Sequence, residues 1–350
     1  MSRLTDPPIP FLYNNPPDTD FYSRFGNPPD LETPLFIPFT RNHKMLEQTV
    51  LSYIAAGWPR SHIIVVENTG TMDANPKGLL SPENMFYLDY ELLRKHYGVS
   101  ILQTPTLLSF SQLQNFMIST AMSNGWKYYF WSHQDVVVVA DETAVPFKGF
   151  YDNILESLSR VQDTMGPGAG ENRWVVTFYS YDWLTLVNVD AVAEVGAWDT
   201  FIPYYASDCD WYKRIYMAGL RYVDEYAGLI YDMSTNIDEP ETLLFGSRFE
   251  ADANEPNSTR FQRLIEAIET VGHTIPQGEP VGHKDRGAWH DEINGGWGEP
   301  WTYNPVGLAR AADATSNAGR IIFTVKWGLQ SPQCDFSGQS RRQEDAWSYP

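Results

Sequence analysis

The sequence predicts an α/β protein with a mostly parallel central sheet and helices on both of its faces. From about residue 35 to residue 135, short runs of β-branched and aromatic residues alternate with segments of helical period. This alternation is typical of successive strand–helix–strand units, whose crossover connections make neighbouring strands parallel. Glycine and proline separate the segments where helices and strands are expected to end.

The first strand and helix are the clearest of these elements. The apolar run 35–40 predicts a strand, and a helix is predicted from about His43 until Gly57 and Pro59 stop it. Apolar residues recur in this helix at the spacing of one face, namely Leu46, Val50, Tyr53 and Ile54.

Three further strands and two helices complete the parallel part. Residues 62–67, 99–103 and 126–132 are rich in β-branched or aromatic residues and predict strands. Ser81 and Pro82 predict the start of a helix that ends near residue 97, and Ser111 is the predicted N-cap of the next helix.

The second half of the chain continues the mixture with less regular spacing. Helices are predicted over 150–161, 190–195, 208–218 and 261–272, and strands over 174–178, 184–187 and 220–223. Residues 278–305 have no clear period and predict a long functional loop. We expect three parts: a proline-rich segment 1–33, a core 34–235, and a loop-rich C-terminal extension 236–350 with a helix and a lid packed on the core.

Composition excludes several classes of partner. The 350 residues carry a formal net charge of −19, so we expect neither nucleic acid nor an anionic membrane as a partner. No apolar run could span a bilayer, and the first residues lack a secretory core, so we expect a soluble, cytoplasmic protein. A missing upstream anchor would instead indicate the Golgi or another secretory lumen. Cys209 and Cys334 form no metal motif or disulfide framework, and Cys209 is expected to be a buried thiol in a helix.

The most informative motif is the polar triplet His133-Gln134-Asp135, which directly follows the aromatic strand. Ligands of open α/β sheets bind beyond the carboxyl ends of the strands. An imidazole and a carboxylate at this position favour a divalent cation or a phosphorylated ligand, although a solvated loop would have the same composition. A bound metal would also offset the acidic surface toward an anionic ligand.

In element order and in several short motifs, residues 34–235 resemble a nucleotide-sugar glycosyltransferase of the GT-A (Rossmann-like) fold. The likeness is closest to the family 2 type, and within it to a set of fungal proteins. The segments that carry the family resemblance are Ile37-Pro38-Phe39-Thr40-Arg41-Asn42, Val65-Val66-Glu67-Asn68-Thr69-Gly70, residues 112–115, His133-Gln134-Asp135, Val195-Gly196-Ala197-Trp198-Asp199 and Ser207-Asp208-Cys209-Asp210-Trp211. The similarity to the fungal proteins rests on Phe39-Thr40-Arg41-Asn42, Glu67-Asn68-Thr69-Gly70-Thr71-Met72-Asp73, Phe130-Trp131-Ser132-His133 and, beyond this range, Lys326-Trp327-Gly328. The triplet stands where the family has Asp-x-Asp, so His133 replaces its first carboxylate.

The resemblance implies an inverting hexosyltransferase that moves a sugar from a UDP- or GDP-sugar to a hydroxyl acceptor, expected to be a glycan. It implies Asp208 as general base with Asp210 beside it, and Asp135, His133 and a late His290 as ligands of Mn²⁺ or Mg²⁺. Imidazole at position 133 favours Mn²⁺ over the oxygen-preferring Mg²⁺. The donor-binding residues that it implies are Pro38, Thr40, Arg41, Glu67, Asn68, Gln112, Asn115 and Gln134.

Other interpretations of the same residues remain open. Asp208 and Asp210 are also typical first-turn acids of a helix, Asn68 of a turn, and Asn115 of a helix surface. The loss of a carboxylate at position 133 is equally expected of a catalytically inactive relative that binds glycans or proteins. A nucleotidyltransferase is disfavoured because no glycine-rich phosphate loop follows the first strand.

Overall fold

The computed structural model describes residues 32–162, 164, 166–245, 257–274, 295–301, 304–329 and 334. Its centre is a seven-stranded sheet in the order β3-β2-β1-β4-β7-β6-β8. These strands are β1 (Leu35–Phe39), β2 (Ile63–Glu67), β3 (Ser100–Gln103), β4 (Tyr128–Ser132), β6 (Trp174–Phe178), β7 (Leu184–Asn188) and β8 (Arg221–Asp224). Strands β3, β2, β1 and β4 are mutually parallel, whereas β7 runs antiparallel to both of its neighbours.

Helices cover both faces of this sheet, so the predicted α/β fold with a mostly parallel sheet is confirmed. One core holds Leu35, Ile37 and Phe39 with the helices α1 (His43–Ala55) and α3 (Phe150–Gln162). The other core holds Phe36 with three further helices. Because side chains alternate along a strand, β1 supplies both cores. These three helices are α2 (Phe110–Ser123), α4 (Val189–Val195) and α5 (Ser207–Met217).

Two helix starts differ from the prediction. The N-cap of α2 is Ser109, which forms a capping box with Gln112, while Ser111 is buried and donates to the carbonyl of Ile202 at 2.5 Å. The prediction of a helix that starts at Ser81 is also wrong, because only the last part of that segment, Leu92–Tyr97, is helical. Glu299 accepts hydrogen bonds from the backbone N–H of Ser81 and from the side chain of Asn84, and these bonds hold residues 81–84 in turns.

A second, three-stranded antiparallel sheet lies beside the triplet and was not predicted. It has the order β10-β9-β5, formed by β5 (Val136–Val139), β9 (Leu229–Met233) and β10 (Gly272–His273). The chain thus leaves β4, passes through the triplet and enters the second sheet at once. The triplet is therefore held between two strands rather than in a long loop.

The C-terminal part packs on the core through three helices and a disulfide bond. The helices are α6 (Pro240–Phe245), α7 (Asn257–Val271) and α8 (Pro305–Trp327). Among the described residues, no helix is long and apolar enough to cross a membrane. Cys209 and Cys334 are disulfide-bonded, so the prediction of a free thiol at position 209 was wrong. The pairing joins residues 125 positions apart, a separation that local sequence patterns do not reveal.

Candidate functional site

The candidate site lies at the carboxyl edge of the parallel strands. Thr40 and Arg41 follow β1, Asn68 follows β2, and His133 follows β4. Because these three strands are parallel and adjacent, their ends lie along one edge of the sheet. The structure thus places these predicted site residues along one edge, and their roles there stay predictions.

Gln134, the middle residue of the triplet, locks this edge together. Its side-chain oxygen accepts from the N–H of Thr40 at 3.1 Å, and its side-chain nitrogen donates to the carbonyl of Arg41 at 2.6 Å. Its own carbonyl accepts from the hydroxyl of Thr49 on α1 at 2.5 Å. These bonds satisfy the amide group of Gln134 and fix the loop after β1 against the triplet.

His133 and Asp135 stand on either side of this lock and are both partly exposed. The ring of His133 lies parallel to that of Phe110, with centroids 6.2 Å apart and planes inclined by 21°. Trp131 packs against it from another side at 5.2 Å. The carbonyl of Asp135 accepts from the N–H of Met233 at 2.8 Å, which ties its backbone to the second sheet.

A buried acid that the sequence analysis did not single out faces the triplet. Asp182 lies in the turn between β6 and β7 and is 5% exposed, with Oδ1 3.8 Å from Nε2 of His133. The hydroxyl of the adjacent Tyr181 donates to Oδ2 of Asp208 at 3.2 Å. This turn therefore connects the triplet to the start of α5. No local motif marks Asp182, because its place beside His133 depends on strand pairing.

Tyr212 on α5 shows that Asp182 and Asp208 share one neighbourhood. Burial raises the pKa of the Tyr212 phenol well above 10, and the negative charges of Asp182 and Asp208 raise it further. Among the described residues, its buried hydroxyl has no hydrogen-bond partner. A buried hydroxyl without a partner is uncommon in native proteins, so this one marks a polar position of the protein that a bound water can satisfy.

The two acids of α5 have different surroundings. Asp208 is partly exposed in the first turn, where the helix dipole stabilises negative charge. Asp210 is fully buried and accepts from Arg214, Lys326 and Trp327 at 3.1, 2.8 and 2.9 Å. Asp210 thereby anchors the end of α8 to α5, and the catalytic role inferred for it stays a prediction.

Glu67 is also buried and fully engaged. One carboxylate oxygen accepts from Thr69 at 2.9 Å and from Asn75 at 2.6 Å, and the other accepts from Tyr90 and from Gln103. Burial, followed by the hydrogen bond to Glu67 and the charge of that carboxylate, raises the pKa of Tyr90. This geometry makes Glu67 a support for the loop after β2, and its predicted donor contact is untested.

Three other predicted donor contacts have partners within the protein. Asn68 accepts from the N–H of Leu108 at 2.8 Å, and Asn115 exchanges two hydrogen bonds with the backbone of Trp198 at 2.8 and 2.9 Å. Gln112 is exposed, and its side chain caps α2. These contacts position the loops around the site, and the predicted donor-binding roles stay predictions.

The remaining predicted residues differ in what the structure can say of them. Pro38 is partly exposed within β1, next to the loop that Gln134 holds. His290 lies outside the described residues.

The triplet contributes two side chains of the kind that a divalent metal binds, and its predicted metal site stays a prediction. Among the described residues, one group of three or more acids, histidines and cysteines converges closely enough to hold a metal, namely Asp208, Cys209 and Cys334. The disulfide removes both thiolates from that group. His133 and Asp135 instead offer one imidazole and one carboxylate, both partly exposed. Such a sparse set suits an ion that takes its other ligands from phosphates and water.

Comparisons with known proteins give only distant likenesses. No protein-family model and no curated protein matches the sequence. A mannosyltransferase from Pyrobaculum calidifontis in complex with GDP-Man and Mn²⁺ is 11% identical over 84% of this chain and 79% of its own, with a TM-score of 0.38. A cytidylyltransferase from Leptospira borgpetersenii is 11% identical over 72% and 100%, with a TM-score of 0.37. TarS from S. aureus is 10% identical over 68% and 43%, with a TM-score of 0.37.

Proposed function

We propose that this chain is a glycosyltransferase that moves a sugar from a nucleotide-diphosphate donor to a hydroxyl group of an acceptor glycan. The observation that carries the proposal is the connection between two parts of the site. The triplet that follows β4 and the Asp208 carboxylate at the start of α5 are joined through the turn that holds Tyr181 and Asp182. These contacts support the proposal that the site of the leaving diphosphate and the candidate base belong to one active site.

The donor lies, in this proposal, across the edge formed by Pro38, Thr40 and Arg41. Gln134 holds this edge in place through its bonds to the loop after β1. Arg41 supplies a cation beside the diphosphate, where a guanidinium pairs well with phosphate oxygens. His133 and Asp135 would hold Mn²⁺ or Mg²⁺, which when bound supplies Lewis-acid stabilisation of the leaving group.

Asp208 is the proposed general base. Its carboxylate accepts a hydrogen bond from Tyr181, which orients it while leaving the residue partly exposed to an acceptor. A carboxylate within hydrogen-bond reach of the attacking hydroxyl can take up its proton as the bond to the sugar forms. With a single base on the acceptor side, direct displacement inverts the anomeric centre.

Binding and turnover test this proposal separately. Calorimetric titration with UDP and GDP, with and without Mn²⁺, measures donor-site binding, and a screen of UDP- and GDP-sugars for hydrolysis measures turnover. We expect Mn²⁺-dependent binding of one nucleotide and hydrolysis of one of its sugars. Binding without turnover of any donor or acceptor would indicate an inactive relative, and absence of nucleotide binding would refute the proposal.

Variants assign the roles. We expect Asp135→Ala to abolish donor turnover, and Asp208→Asn to reduce transfer by about 10²–10⁴ while nucleotide affinity is kept. Asp190→Asn is the matched control, because Asp190 is a first-turn acid of α4. It follows Asn188, which pairs with Tyr128 at the opposite end of β4. Unchanged transfer by Asp208→Asn would place the base elsewhere.

A further inference from the structure

Strand pairing brings the turn between β6 and β7 alongside the triplet. β7 runs antiparallel to β4, with Leu184 opposite Ser132. The residues before Leu184 therefore extend past the end of β4, and the N–H of His133 donates to the carbonyl of Trp183 at 3.3 Å. Asp182, one residue further, is placed beside the imidazole by the register of the sheet itself.

The turn is built to hold this carboxylate in place. Trp183 donates to the carbonyl of Ser180 at 3.2 Å, and Tyr179 donates to the carbonyl of Leu184 at 3.1 Å. Tyr181 adopts φ +49°, a conformation that non-glycine residues rarely take and that persists where the surroundings impose it. The side chain of Asp182 is 8% exposed, and its carboxylate faces Nε2 of His133.

The ring of His133 is restrained as well. Phe110 and Trp131 pack against it at centroid distances of 6.2 and 5.2 Å. With the ring held between these aromatic groups, Nε2 is the nitrogen that faces the buried carboxylate, 3.8 Å away. A displacement of about 1 Å would bring the two atoms to hydrogen-bond distance.

We propose that Asp182 is the positioning residue for His133. Its carboxylate accepts a hydrogen bond from Nε2–H, which fixes the tautomer and leaves the lone pair of Nδ1 for a ligand. A carboxylate behind a histidine ligand orients the ring and increases its basicity. Asp182 also restores, from the turn between β6 and β7, the negative charge that the triplet lacks at position 133. The metal-binding part of this inference rests on the proposed function, whereas the pairing of Asp182 with His133 does not.

The tautomer of His133 tests the pairing without any ligand. Long-range ¹H–¹⁵N spectra of the uniformly ¹⁵N-labelled protein, recorded where the imidazole is neutral, show which ring nitrogen carries the proton. His133→Gln identifies the signals of His133 among those of the seven histidines. We expect the proton on Nε2 in the unaltered protein and a mixture of tautomers in Asp182→Asn. A proton on Nδ1 in the unaltered protein overturns the inference even if Asp182→Asn fails to fold.

A double-mutant cycle tests the consequence for metal binding. In the presence of the nucleotide that binds, we expect Asp182→Asn to weaken Mn²⁺ affinity by about 10- to 100-fold, the usual effect of losing such a carboxylate. In a His133→Gln background, the same change should have little further effect, and Asp190→Asn serves as the control. Equal losses in both backgrounds overturn the inference while the proposed function stands. If the unaltered protein binds neither nucleotide nor Mn²⁺, the proposed function and the metal part fail, and the tautomer still decides the pairing.

Discussion

Replacement of Asp210 by alanine separates an anchoring role from a catalytic one. Both carboxylate oxygens of Asp210 are engaged, one by Arg214 at 3.1 Å and the other by Lys326 and Trp327 at 2.8 and 2.9 Å. Asp210 is 0% exposed and Lys326 is 2% exposed, so the substitution leaves a buried ammonium and a buried indole N–H with fewer partners. Asp199, 2.8 Å from Lys326, remains as one compensating charge.

The expected loss is large on the scale of protein stability. Breaking a buried ion pair by removing one partner destabilises a protein by about 3–5 kcal/mol. Because Lys326 keeps its bond to Asp199, we expect Asp210→Ala to lower the free energy of unfolding by about 3 kcal/mol. The total stability of an ordinary protein is about 5–15 kcal/mol. Urea denaturation followed by circular dichroism measures the change as a lower midpoint at an unchanged slope.

Asp208→Ala is the matched control, because Asp208 lies in the same helix turn and is partly exposed. Its expected loss is below about 1 kcal/mol. A second check is the cycle of Asp210→Ala with Lys326→Met, which should give a coupling energy of about 1–3 kcal/mol. If Asp210→Ala unfolds at the midpoint of the unaltered protein and yet loses all transfer, the anchoring argument is wrong and Asp210 is a catalytic residue.

Three further predictions concern the supports of the site. Asn115→Ala should destabilise the protein by about 1–3 kcal/mol, because it leaves the backbone of Trp198 without two partners, and calorimetry should show unchanged nucleotide affinity. A loss of affinity at unchanged stability would instead make Asn115 a donor contact. Cys209→Ser should lower the free energy of unfolding by about 2–5 kcal/mol, because the disulfide with Cys334 closes a long loop. Reduction with dithiothreitol should cause the same loss in the unaltered protein and no further loss in the variant. Burial first, then the charge of Lys44, lowers the pKa of His43 below 6.5, so the unfolded chain binds more protons in the window below that value. The free energy of unfolding should therefore fall as the pH decreases through this window. Urea denaturation midpoints measured across the window should fall less in His43→Asn than in the unaltered protein. Identical pH profiles of the two proteins would contradict the argument.

The sequence by itself determined the alternation of strands and helices in the core and the position of the triplet. The run of aromatic residues predicts the strand that ends at Ser132, and the spacing of apolar residues predicts the helix that begins at His43. These are local signals, since they depend on backbone preference and on the side-chain period within one segment. Because parallel strands end at a common edge, the same local signals also predicted where Thr40, Asn68 and His133 lie.

Tertiary structure decided which of the acidic residues are buried and what each of them contacts. Asp208 and Asp210 are alike in sequence, and only the packing of α8 makes the second a buried anchor, through partners more than a hundred residues away. Asp182 carries no local signal, and it meets His133 because β7 pairs with β4 in one register. The disulfide between Cys209 and Cys334 likewise depends on where the C-terminal segment docks. Contacts of this kind arise from the packing of whole elements, so short-range periodicity and turn chemistry contain no record of them.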